Sequence, residues 1–215
     1  MEEVDSLGVE TVVLGTSNPI AAKLYGSLGF SFLPGSGVMA RFAKGDEVDF
    51  TACTYEKKSQ FIQIQSGSPR MRIPLIPLVL HRGSQLILDC NTGIINCNLM
   101  TQFSCMSLFP RYLELQKKGG DFFGAYNEHG VLGAVASILP VGEELRADFF
   151  CCDSFESVIP ELLKKCQEAY GDFYLQIAKE DWKKQAIAEK CGFMQREDVL
   201  YSCRSVQIPS VKYKK

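Results

Sequence analysis

Glu10-Thr11-Val12-Val13-Leu14 is a β-branched run that stops at Gly15, the pattern of a buried strand. Ser17 or Asn18 can cap the helix that follows, and Pro19 takes its first position, where a missing N–H costs nothing. Ile20, Leu24 and Leu28 recur four residues apart and predict a stripe facing the core, with Gly29 suited to the C′ position. Ser31-Phe32-Leu33 begins another strand, Pro34 to Gly37 reads as a turn, and Val38 to Phe42 resumes extended structure. Residues 1–45 thus hold a strand, a helix and one or two strands, too few to bury their own faces.

Lys44 to Glu47 and Ser66-Gly67-Ser68-Pro69 are polar breaks, and Phe61 to Gln65 alternates between them as a half-buried strand would. Ile73 to Leu80 is apolar but holds Pro74 and Pro77, which predicts a buried irregular or edge segment. Gln85 to Asp89 is a short strand with a turn at Asn91-Thr92-Gly93, and Leu108 to Lys118 a helix stopped by Gly119-Gly120. Phe122 to Tyr126 and Val131 to Leu139 form a hairpin around Asn127 to Gly130. Glu144 to Cys152 is a further strand, and Phe155 to Tyr170 an amphipathic helix with Pro160 in its first turn. Phe173 to Ala178 is a buried strand, Trp182 to Cys191 a helix and Val199 to Val206 a closing strand.

The unit strand, polar turn, short helix, Gly-Phe occurs twice, ending at Gly29-Phe30 and at Gly192-Phe193. Superposing the two Gly-Phe pairs puts Asp181 on Asn18, Trp182 on Pro19 and Ala188 on Tyr25. The shape repeats while the chemistry does not.

Composition changes this picture little. The chain of 215 residues is 46% hydrophobic with a net charge of −2, enough to bury a sizeable core. The balance argues against a nucleic-acid footprint, and the basic end Lys212 to Lys215 reads as a solvated tail. No apolar run approaches the roughly 18 residues of a membrane span, and no signal peptide precedes the first strand. The nine cysteines lack paired CxxC spacing, so no metal site is expected, and reduced thiols in a cytoplasmic setting are the default. Cys151-Cys152 is the one pair to weigh as a nucleophile. Its only available bases are His81 and His129, both far off in sequence, so burial on a strand is the better reading.

Asn18, Ala22, Tyr25, Gly29 and Phe30 fall on the pattern Asn-x-x-Ala-x-x-x-Tyr-x-x-x-Gly-Phe, and this stretch resembles the C-terminal signature of the GNAT acetyltransferase superfamily. The resemblance implies an α/β (mixed α+β) fold, a twisted mixed sheet flanked by helices. It implies acetyl-CoA as co-substrate, with Asn18, Ala21 and Ala22 beside it and Tyr25 protonating the departing thiolate. The expected organisation is that of a tandem member: residues 1–45 as the last third of a first unit, 46–60 a linker, 61–208 a complete unit and 209–215 a tail. In the second unit the family's glycine-rich pyrophosphate loop is replaced by Cys152 to Ile159, without glycine and with Asp153, Phe155 and Glu156 in the way. Ala188 also removes the tyrosine hydroxyl.

Two functions follow from different classes. The first is acetyl-CoA-dependent N-acetyl transfer to a small-molecule or peptide amine, carried by the first unit, with Glu128, His129, Glu143 and Glu144 the available bases. The second is a catalytically inactive binding or scaffold module. They correspond to two origins for Met1: an internal start within a longer tandem enzyme, or the start of a short native chain. A partial unit at residues 1–45 must dock on its own second unit or on another copy, and the expectation is a C₂ homodimer through residues 9–42.

Overall fold

The computed structural model describes residues 6–33, 37–56, 61–80, 85–96, 107–204 and 206–215. The expected turn at Pro34 to Gly37 falls largely outside them, as do His81, Cys97 and Cys105.

The first unit is a three-stranded antiparallel sheet in the order β1-β3-β2, from Thr11–Gly15 (β1), Ser31–Phe32 (β2) and Val38–Phe42 (β3). Between β1 and β2 runs α1, Pro19–Ser27, capped by Asn18 as the sequence predicts. The α1 stripe does not face the core. Ile20, Leu24 and Leu28 are 78%, 59% and 43% exposed, and no α1 residue is fully buried. The less exposed side carries Ala21, Ala22 and Tyr25, which are half-buried.

The described part of the span expected as a linker, residues 46–56, is structured. Asp46 and Asp49 form a capping box on α2, Glu47–Thr51, and a π-helical turn, Ala52–Glu56, buries Tyr55. Ile73 to Leu80 is also not irregular. It holds α3, Leu75–Leu80, with Pro77 in its first turn, where it breaks no helical hydrogen bond.

The second unit is built on a seven-stranded sheet. Its strands are β4 (Ile62–Ser66), β7 (Asp121–Asn127), β8 (Leu132–Val141), β9 (Glu144–Cys151), β10 (Tyr174–Ala178), β11 (Met194–Cys203) and β12 (Val206–Lys214). Across the sheet they run β11-β12-β10-β9-β8-β7-β4, antiparallel except for β9 with β10. Helices α4 (Leu108–Lys117), α5 (Ile159–Tyr170) and α6 (Trp182–Lys190) flank it, and a small hairpin of β5 (Ile87–Asp89) and β6 (Ile94–Ile95) lies against β9.

The expected closing strand and tail are replaced by two long strands, β11 and β12. The supposed tail is the inner one, with Ile208, Ser210, Val211 and Tyr213 buried while Lys212 and Lys214 point outward to Glu144. The order β1-β3-β2 with α1 after its first strand repeats β10-β12-β11 with α6 after β10. The two units share one core: Leu33, Val38, Ala40 and Tyr55 join the main apolar cluster, with Val13, Phe42 and Phe50 packed against it.

Candidate functional site

The first unit holds the residues that the signature singles out. Asn18 Oδ1 accepts from the backbone N–H of Ile20 (2.9 Å) and Ala21 (3.4 Å), while its own N–H donates to Thr16 Oγ1 (3.1 Å). These bonds fix the start of α1 and bring Ala21, Ala22 and Tyr25 to one side of the helix. The Tyr25 ring lies 5.9 Å from that of buried Phe30, and Phe30 N–H donates to the Tyr25 carbonyl across the turn at Gly29, whose φ is +87°. Among the described residues β1 pairs only with β3.

In the second unit the equivalent place is the split between the parallel strands β9 and β10. They pair at Tyr174 with Arg146 and Leu175 with Ala147, and beyond these positions they part. The chain fills the opening itself. Lys184 of α6, only 1% exposed, sets its ammonium 2.5 Å from Asp148 Oδ1 on β9, and Asp148 is fully buried. The same ammonium donates to the carbonyls of Ile87 (2.9 Å) and Leu88 (3.3 Å).

Further polar contacts strap the β5–β6 segment over the split. Cys90 N–H donates to Asp148 Oδ2 (2.7 Å), Leu86 N–H to Asp181 Oδ2 (3.1 Å), and Arg146 Nε to Asn91 Oδ1 (2.8 Å). Buried Asp89 accepts from Ser137 Oγ (2.8 Å) and from Asn91 N–H (2.9 Å). Its other oxygen and the Tyr112 hydroxyl are buried without a hydrogen-bond partner among the described residues. Burial, and next the charge of Asp148, hold the Asp89 carboxyl above the usual carboxylate range. Burial alone would push the Lys184 ammonium toward the neutral amine, yet Asp148 and Asp181 hold it above its ordinary value.

The loop after β9 is equally closed. Residues Asp153–Val158 form a 3₁₀ turn in which Phe155 is fully buried against Gly133. A Cβ on Gly133 would lie 2.2 Å from the Phe155 ring, so that ring and the glycine require each other. Ser154 Oγ donates to the Tyr55 carbonyl. Lys183 pairs with Asp153 (2.6 Å) and Glu156 (2.9 Å), so the helix start is already neutralised from within. These residues do not fit acetyl-CoA: an aromatic ring and two carboxylates stand where a diphosphate needs close backbone and free N–H groups.

The bases considered from the sequence are not brought together. Glu128 and His129 lie at the β7–β8 turn, whereas Glu143 and Glu144 lie at the β8–β9 turn, the opposite end of a ten-residue strand. Glu144 is engaged by Lys212 (2.5 Å) and Lys214. Cys151 and Cys152 are both buried, and burial raises both thiols, which makes them poor nucleophiles. Among the described residues no group of three or more His, Cys, Asp or Glu could hold a metal ion, and no helix is long and apolar enough to cross a membrane. The buried set Asp148, Lys184, Asp89 and Asp181 was not foreseen. The superposition of the Gly-Phe pairs could have exposed it, since it sets Lys184 on Ala21 and so places a charge on the inward side of a helix.

No family model matches the sequence, and no curated protein matches it. Solved structures do match the fold. The ribosomal L7/L12 α-N-protein acetyltransferase RimL, in complex with coenzyme A, superposes with a TM-score of 0.54 at 12% identity, over 74% of this chain and 96% of that one. Spermidine N-acetyltransferase from Vibrio cholerae, in complex with coenzyme A and spermine, gives 0.52 at 11% identity, over 71% and 93%. A GNAT-family acetyltransferase from Staphylococcus aureus gives 0.52 at 15%, over 72% and 99%. The chain has the GNAT acetyltransferase fold, a mixed sheet flanked by helices.

Proposed function

We propose that this chain takes part in acetyl-CoA-dependent N-acyl transfer to a small amine or a peptide amine, and that the chemistry belongs to the first unit. The observation that carries this reading is the α1 helix, where Asn18 caps the start and Ala21, Ala22 and Tyr25 share the inner side. Under it, residues 1–45 are the C-terminal part of a first GNAT-like unit, and the chain from 61 onward is a complete one with a degenerate cofactor loop. The repeated strand order, β1-β3-β2 and β10-β12-β11, supports that division. RimL and the spermidine enzyme, both in complex with coenzyme A and named for a ribosomal protein and a polyamine, support the substrate class.

In this reading acetyl-CoA supplies the thioester, Asn18, Ala21 and Ala22 line its place, and Tyr25 holds the proton that a departing thiolate needs. The test is titration of the full chain with acetyl-CoA, followed by thiol release in the presence of spermidine or a peptide with a free N-terminus. Tyr25→Phe should lower the rate by about 10²–10⁴-fold while binding persists. No binding of acetyl-CoA overturns the enzyme reading.

The closed cleft of the second unit favours a second reading, a GNAT-fold binding or scaffold module without turnover. A chain that binds no acetyl-CoA yet keeps its fold would match it. In either reading the exposed apolar stripe Ile20, Leu24 and Leu28, with Phe32, is the surface for a C₂ homodimer through residues 9–42. Sedimentation as a monomer at all concentrations would reject the dimer.

A further inference from the structure

The Lys184 ammonium sits in a complete receptor. A primary ammonium has three donors, and here each has an acceptor: the Asp148 carboxylate and the carbonyls of Ile87 and Leu88. The face of the Phe149 ring lies 5.2 Å from the same nitrogen, a cation–π distance. The receptor is itself held in place, since Asp148 also accepts from the N–H groups of Cys90 (2.7 Å) and Phe149 (2.8 Å). Three elements far apart in sequence, the β5 strand, β9 and α6, converge on one nitrogen at the point where β9 and β10 part.

We propose that the split of the second unit is a primary-ammonium binding site whose resident occupant is the chain's own Lys184. The site selects a primary ammonium on a slender alkyl stem. Three convergent acceptors match three N–H donors, and a quaternary ammonium has none to offer. Its anionic wall and aromatic face suit a cation, whereas a neutral alcohol of the same shape leaves Asp148 buried without a counter-charge. The inference stands on the contacts of Lys184 alone and does not depend on acyl transfer by the first unit. It also gives the closed cleft a ligand chemistry: the second unit takes no free amine because it already holds one in cis.

The test is to empty the site and offer it an external ammonium. Lys184→Ala removes Cγ, Cδ, Cε and Nζ, the atoms of n-propylammonium. In the full chain this variant should melt about 10 °C below the parent. Adding n-propylammonium chloride should recover part of that loss with a saturating dose dependence. Tetramethylammonium chloride, sodium chloride at equal ionic strength and n-propanol should not. Should Lys184→Ala be unfolded at 25 °C, n-propylammonium must restore its far-ultraviolet circular dichroism, and failure to do so overturns the proposal. Lys184→Met fills the channel without charge and should lose about as much stability as the alanine variant. A methionine variant as stable as the parent, or equal recovery with all the salts, also overturns it.

Discussion

Helices α1 and α6 stand in the same frame and behave differently. Each follows a strand, each is capped by the side chain of the residue before it (Asn18, Asp181), and each ends at a glycine with φ near +85° (+87° at Gly29, +84° at Gly192). Even the turn bond is shared: Phe30 N–H donates to the Tyr25 carbonyl, and Phe193 N–H to the Ala188 carbonyl, both at 3.1 Å. Inside that frame Ala21 is replaced by Lys184 and Tyr25 by Ala188. A methyl group and a phenol on one inner face become an ammonium and a methyl group on the other. The first face is left with two methyl groups and a phenol, the second with an internal ion pair. A backbone frame can therefore be kept while its inner positions decide which chemistry it carries.

The largest break of this contrast is Asp148→Ala. It leaves the Lys184 ammonium buried without its counter-charge and should cost about 3–5 kcal/mol in denaturant unfolding, with no counterpart in the first unit. Gly133→Ala drives a methyl into the Phe155 ring and should cost about 1–3 kcal/mol, the measure of how tightly the turn after β9 is packed. Asn18→Ala removes two accepted bonds at the exposed start of α1 and should cost about 1 kcal/mol. A subtler effect is a slope. Asp89 has a folded pKa above its unfolded value, so the stability it contributes is complete below the ordinary carboxylate pKa and is lost as pH rises through the raised value. Asp89→Asn, which keeps an acceptor for Ser137 and Asn91, should flatten the fall in melting temperature over that range. The smallest expected change is Ala21→Lys. Ala21 is only half-buried on α1, so the new side chain can reach water and stability should move by less than about 0.5 kcal/mol.

Much of this frame is legible in the sequence because its punctuation is local. Asn18-Pro19 and Asp181 mark helix starts, Gly29 and Gly192 adopt a backbone that other residues avoid, and Asn127 to Gly130 specify a hairpin. What local signals do not carry is which side of an element finds a neighbour. The Ile20-Leu24-Leu28 stripe is as regular as any buried one, yet Ala21, Ala22 and Tyr25 are the half-buried positions of the helix. Residues 209–215 read as a tail because lysines alternate with Val211 and Tyr213, and only pairing with β10 and β11 on either side makes that alternation a strand. The buried ion pair is least legible of all, since Asp148 and Lys184 are joined by no motif and meet only once β9 and α6 are packed.

The place of β12 sets the order in which this chain can be made. The strand that follows β11 in the chain, Val206–Lys214, lies between β10 and β11 in the sheet. Until it arrives, β11 has no partner and β10 is joined to the sheet only by its short contact with β9. The three-stranded sheet of the first unit, by contrast, has its whole complement once residue 42 has emerged, and must then wait for the surface it docks on. Nascent chains should thus carry exposed strand edges at β10 and β11 until β12 has emerged, an interval in which holding chaperones guard against edge-to-edge association.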